Sequence, residues 1–265
     1  VVIWLWLYVY LIFGILYLIF YPQDMKAAAL TDIGLVRKTN EDAYWYDANR
    51  GIFVVADGLG GQQGGEVAAA LAVKCVCTIL SDAVDDELAD AELVDALHRS
   101  FRTASEEIHR TANQLRELKG MACSLIAAIV QDGYCNAAHA GDCRAYLFYN
   151  NELSQMTLDD TPVATLVKSG FLLKEKAKSH SMKNVLVKSV GGKPEIDANI
   201  TRFPVKPGER LMFCTDGLWG TVEEQTIREI LHDQTDLSLS CRAMVRAARE
   251  NGGQDNITVV VAEME

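Results

Sequence analysis

One short pattern constrains this chain more than any other: an apolar run that stops at an acid and is followed at once by glycine. Ile52 to Ala56 is an unbroken apolar stretch of the kind that makes a buried strand. It ends in Asp57, with glycines at 58, 60, 61, 64 and 65. An unpaired carboxylate at the tip of a buried strand is costly, and glycines let backbone approach a ligand closely. Alone, the stretch also reads as a strand and an ordinary turn, with Asp57 capping a helix near Glu66. Arg210 to Cys214 followed by Thr215-Asp216-Gly217 repeats the design. Asp142 interrupts another strand in Ala140-Gly-Asp-Cys-Arg-Ala145, Asp255 precedes the terminal strand Ile257 to Val261, and Glu41-Asp42 precede a strand at Ala43. Acids are depleted in strands, so this many at strand ends point to a ligand.

The donor set narrows the ligand. Carboxylates without histidine or cysteine partners suit hard cations, magnesium or manganese. No cysteine and histidine pairs have zinc-ligand spacing. The seven cysteines are odd in number and form no CxxC pair, and several sit in apolar runs, as reduced core residues of a cytosolic domain do. A net charge of -11 leaves no basic stripe for nucleic acid. Several carboxylates suffice for two metals sharing a bridging group, which clamp both oxygens of an in-line displacement at phosphorus. Arg37, just ahead of Glu41 and Asp42, is either part of a solvated turn or a bidentate grip on phosphoryl oxygens. No Ser-His-Asp or cysteine nucleophile arrangement and no GxxxxGK[ST] loop competes.

Val1 to Tyr21 carries no charge and has the length and hydropathy of a transmembrane helix. It lacks the basic start and cleavage site of a signal peptide. Met25-Lys26 opens like the start of a soluble domain, so residues 1–24 are either a membrane anchor or upstream sequence joined in error. As an anchor they would leave the domain on the cytoplasmic side, given Lys26, Arg37 and Lys38. Residues 25–265 show no linker or repeat and read as one domain. Expected are a strand over Ala27 to Leu35 and a hairpin of Ala43–Tyr46 with Gly51–Ala56, which brings Glu41 near Asp57. A helix follows over Glu66 to Leu80, and one or two more over Asp85 to Leu118, with Leu88, Leu93, Leu97, Phe101 and Ile108 in the core. Asp132-Gly133 marks a second hairpin between Cys123–Gln131 and Gly133–Ala140. Leu158 to His180 reads as a lysine-rich surface excursion with one short helix, and Val185 to Val190 as a return to the scaffold. Val222–Leu231 and Leu237–Glu250 read as helices.

Five stretches together resemble the PPM family, the metal-dependent type 2C serine/threonine protein phosphatases, in its bacterial branch: Thr31 to Asp42, Val55 to Gly61, Ala140 to Ala145, Cys214 to Leu218 and Gly252 to Thr258. They occur in the family's order across Met25 to Glu265. The resemblance implies an α+β, four-layer α-β-β-α sandwich of two mainly antiparallel sheets, with a metal cleft at one end. It implies hydrolysis of phosphoserine and phosphothreonine in proteins by a metal-bridging hydroxide, opposing a bacterial serine/threonine kinase, in a monomer. Asp57 would bridge two Mn2+ or Mg2+ ions. Glu41 and the Gly58 carbonyl would serve one, Asp216 and Asp255 the other. Asp42 would hold a metal-bound water and Arg37 the substrate phosphate. The lysine-rich excursion, from about Asp159 to His180, would correspond to the family's flap beside the cleft. Asp142 matches the position of a third, weaker metal, a source of the proton for the leaving alkoxide, with His180 on the flap as its competitor. The sequence departs from the family at Gly120-Met-Ala-Cys-Ser124, where a Gly-Thr-Thr-like stretch is usual, and at Asp159-Asp160, where the flap usually opens with Asp-His. Two rivals are a catalytically silent PPM-like binding module and a structural calcium-binding domain. The intact acidic set argues against the first. Arg37 and the lack of a DxDxDG loop argue against the second.

Overall fold

The computed structural model describes residues 25–61, 63–85, 88–177 and 180–265. The apolar segment over residues 1–21 lies outside them. Two five-stranded sheets stack face to face. One has the order β1 (Met25–Asp32), β10 (Ile257–Met264), β9 (Arg210–Cys214), β6 (Arg144–Tyr149), β7 (Glu152–Gln155). The other runs β2 (Asp42–Asp47), β3 (Ile52–Leu59), β4 (Ala122–Gln131), β5 (Tyr134–Ala140), β8 (Asn199–Pro204). Every pairing is antiparallel.

The apolar runs are continuous because both faces of these strands are covered. In β3, Ile52, Val54 and Ala56 pack under α1 (Gly64–Asp85) and α2 (Asp90–Gln114). Phe53 and Val55 point the other way, into the layer between the sheets, where Phe53 stacks on Phe213 of the opposite sheet with ring centroids 5.5 Å apart. On the outer face of the first sheet, Met212, Val259 and Val261 pack under α6 (Glu224–Asp233) and α7 (Leu237–Glu250). The four layers and the α+β class expected from the resemblance are present. By length and composition α1 is apolar enough to cross a membrane. Its buried face of Ala68, Ala69, Ala72, Val76 and Leu80 instead joins the core under the second sheet.

Turn chemistry fixes the registers. Asp132 and Gly133 both have positive φ (52° and 74°), the geometry of a two-residue hairpin between β4 and β5. Asn150 and Asn151 do the same between β6 and β7, at 49° and 61°. Four elements differ from expectation. The first strand runs Met25–Asp32, not to Leu35. Edge strand β8 has only Phe203 buried, so it carries no clear alternation. The excursion holds two short helices, α3 (Pro162–Lys168) and α4 (Lys174–Ala177). Val185 and Val187 are exposed, and only Val190 rejoins the sheet, bridging Cys123. Of the expected α2 core, Leu93, Leu97, Phe101 and Ile108 are fully buried, and Leu88 packs at its margin.

Candidate metal centre

Strand ends from both sheets converge at one end of the sandwich. Asp42, opening β2, is the register partner of Asp57 on β3, and Asp57 is the partner of Ser124 on β4. Ser124 Oγ accepts the backbone N–H of both Asp142 and Cys143 at 2.8 Å, fixing the turn between β5 and β6. From the opposite sheet, Thr215 follows β9 and Asp216 opens α5 (Asp216–Trp219). The two sheets are stapled through Asp42: its Oδ2 accepts the hydroxyls of Thr215 at 2.9 Å and Thr258 at 2.7 Å. With its proton committed to Asp42, the Thr258 hydroxyl receives that of Thr31 at 2.8 Å. The Thr31 oxygen in turn accepts Asn40 Nδ2. The approach is close enough to demand glycine. A Cβ at position 58 would lie 2.1 Å from the Gly65 carbonyl oxygen, and one at 217 would lie 1.9 Å from that of Asn256.

The loop carrying Arg37 and Glu41 is held by Asn256, a buried residue. Its Oδ1 accepts the Glu41 N–H at 2.9 Å, while Nδ2 donates to the carbonyls of Ile33 and Thr39 at 3.0 Å each. Gly58 N–H donates to the Glu41 carbonyl at 3.1 Å, tying this loop to the end of β3. Arg37, half-exposed at the rim, donates to Asp255 Oδ2 at 2.8 Å.

Crowded acids raise one another. Burial, with repulsion from Asp42, Asp216, Asp142 and Asp255, pushes the Asp57 carboxyl well above the usual range. Burial also lifts Asp42 to about 7, against the two threonine hydroxyls, and Asp216 to about 6, with Asp255 adding repulsion. Asp142 rises to about 7 through burial and the charges of Asp216 and Asp159. Glu41 rises through burial, with Arg37 opposing. Asp216 Oδ1 is buried without a hydrogen-bond partner. Among the described residues no three acids, cysteines or histidines already close as a coordination set around one point. An all-oxygen donor set, mutual repulsion and an orphaned carboxylate oxygen nevertheless fit a hard cation, which would neutralise the cluster.

The family model described as protein phosphatase 2C matches residues 37–261. The chain belongs to the protein phosphatase 2C family. It is 35% identical over 249 residues to the serine/threonine phosphatase Stp of Listeria monocytogenes, covering 91% of this chain and 96% of that one. The crystal structure of the Mycobacterium tuberculosis phosphatase PstP superposes with a TM-score of 0.83 at 33% identity, over 91% of this chain and 99% of that one. The PstP catalytic domain in complex with two manganese ions gives 0.80 at 32% identity, over 90% and 97%.

Within this family frame, the two departures acquire structural reasons. Asp159 makes a two-pronged ion pair with Arg144 at 2.9 and 2.7 Å, almost fully buried. The Arg144 guanidinium lies 3.4 Å from the ring centre of Trp219, whose Nε1 donates to the Asp142 carbonyl at 3.0 Å. Asp160 accepts the Gly141 N–H at 3.0 Å and returns its own N–H to the Gly141 carbonyl at 2.8 Å. Asn199 Nδ2 supports it, and Lys188 stands 3.9 Å away. The acid pair thus pins the root of the flap to the Asp142 turn. At the other departure Met121 fills the core beneath Gly64, and Ser124 makes the contacts described above. His139 is buried, with Nε2 donating to the Leu158 carbonyl at 2.8 Å. His180 Nδ1 accepts the Met182 N–H within the flap. Asn256, Ser124, Thr215 and Thr258 have supporting roles that the sequence reading did not assign. The available signal was a small polar residue inside or beside an apolar strand.

Proposed function

We infer that this protein is a metal-dependent serine/threonine protein phosphatase. The observation that carries the reading is the convergence of Asp42, Asp57, Asp142 and Asp216, each pushed above its ordinary range, beside Arg37 and Asp255. Membership of the family and the manganese-bound relative support it. We assign Asp57 as the residue shared by two divalent ions, Glu41 and the Gly58 carbonyl to one, and Asp216 and Asp255 to the other. Asp142 is assigned to a third, weaker site. The ions, when bound, supply a water nucleophilic at neutral pH and neutralise charge gathering on the phosphoryl oxygens. The chain's own groups do the positioning. Arg37 is planar, permanently charged and half-exposed, so it can exchange Asp255 for two oxygens of a phosphoryl group. Asp42 has one oxygen fixed by Thr215 and Thr258, and its other oxygen would hold a metal-bound water. Asn256 holds both Arg37 and Glu41 in place through a single loop.

The substrates are phosphoserine and phosphothreonine in proteins. A serine/threonine kinase must make them, and the chain would oppose it in the cytoplasm as a monomer, anchored at the membrane if residues 1–21 form a span. The test is turnover of para-nitrophenyl phosphate and a phosphothreonine peptide at saturating manganese. We expect both to be hydrolysed, and Asp57→Asn to lose more than about 100-fold, the scale attached to misplacing one positioning group. A wild type inert toward both substrates would instead favour the silent binding module.

A further inference from the structure

A cavity of about 390 Å³ lies between the flap and the shoulder formed by α5 and the start of α6. Its walls are mainly apolar: Leu158, Val163 and Val167 on the flap side, Trp219 and Val222 on the shoulder. Asp216 shares the wall, so the cavity is continuous with the candidate metal centre. The Trp219 face is preformed, since its ring is held between the Arg144 guanidinium and the Asp142 carbonyl. Lys174 on the flap reaches Glu224 on the shoulder at 3.0 Å and joins the two walls. Lys168 and Lys183 add positive charge to the lining, on a molecule whose net charge is -11. The flap also turns Phe171 and Leu173 outward, 84% and 64% exposed. An apolar cavity opening on the reaction centre, with apolar side chains displayed on the same flap, is suited to a polypeptide rather than to the phosphate group alone.

Resting on the phosphatase reading, we propose that this cavity is a specificity subsite that takes an apolar side chain lying within a few residues of the phosphorylated serine or threonine. Burial of a leucine-sized side chain favours the substrate that carries it, whereas a glycine at the same place leaves the cavity unused.

The experiment compares two phosphothreonine peptides, identical except for leucine or glycine two residues from the phosphothreonine, with the full chain at saturating manganese. The leucine peptide is expected to have a kcat/KM higher by roughly tenfold, the scale on which apolar pockets discriminate, chiefly through a lower KM. Val167→Trp, which fills the cavity from the flap side, should bring the ratio of the two peptides close to one. Equal kcat/KM for the peptides in the wild type would overturn the subsite and leave the cavity to a small effector or a partner protein. A Val167→Trp variant that loses both peptides in equal proportion would overturn it as well, since the residue would then be structural. Hydrolysis of neither peptide by the wild type would defeat the phosphatase reading itself, a different result from equal hydrolysis of both.

Discussion

At the scale of single residues, the site is an arrangement of acids that repel one another and of neutral groups that hold them there. The repulsion has a sign that can be measured in the metal-free protein. Unfolded aspartates titrate near pH 3.9, whereas Asp216 in the fold is lifted to about 6 and Asp42 and Asp142 to about 7. Between those limits the folded chain binds more protons than the unfolded chain, so its stability falls as pH rises through the window. Chelator-treated protein should therefore melt at a higher temperature at pH 5.5 than at pH 7.5, and saturating manganese should reverse the order; a melting temperature that rises with pH in chelator would refute the account. The acids were legible in the sequence because several of them stand at the ends of apolar runs; any one alone also reads as an ordinary turn or cap. Asn256 and Ser124 were not legible as supports. Each works through hydrogen bonds to backbone groups that are distant along the chain, and no local pattern announces such partners.

At the scale of elements, the flap root is the informative piece. Arg144 and Asp159 are nearly buried, and removal of one partner strands the other. Asp159→Ala should cost about 3–5 kcal/mol, the range for breaking a buried pair from one side, read as a lower urea midpoint with an unchanged m-value. Loss of both partners in a double variant such as R144M with D159A should cost less than the single change, and a purely additive pair of losses would count against a coupled strut. Sequence alone located the flap as a lysine-rich interruption but gave it one helix. Thr161 and Pro162 are a recognisable start, with the Thr161 hydroxyl accepting the Ala164 N–H at 3.0 Å. The four-residue α4 is too short to show a period. Strand β8 was missed for a related reason: at the sheet edge only one of its side chains is buried, so burial left no imprint on composition.

At the scale of the molecule, the described fold begins with β1 paired along its whole length, from Met25 with Met264 to Asp32 with Ile257. Residues 25–265 expressed alone should thus be soluble and keep the turnover of the full chain. An insoluble or inactive product would show that the first 24 residues belong to the domain, and recovery of the full chain in a carbonate-washed membrane pellet would mark them as an anchor. The four-layer arrangement came from the order of five motifs. The hairpins and the long helices could be read from turn residues and periodicity. The pairing of the first strand with the last could not, because nothing local encodes contacts so far apart. That pairing also sets a timetable. The second sheet needs nothing beyond Pro204, whereas the first cannot be assembled until Ile257 to Met264 has been made. Asp255 and Asn256 arrive just ahead of that strand, so a nascent chain from which it has not yet emerged has neither a complete sandwich nor a complete cleft. A product of premature termination would be an unfinished sheet with exposed edges, to be cleared by quality control.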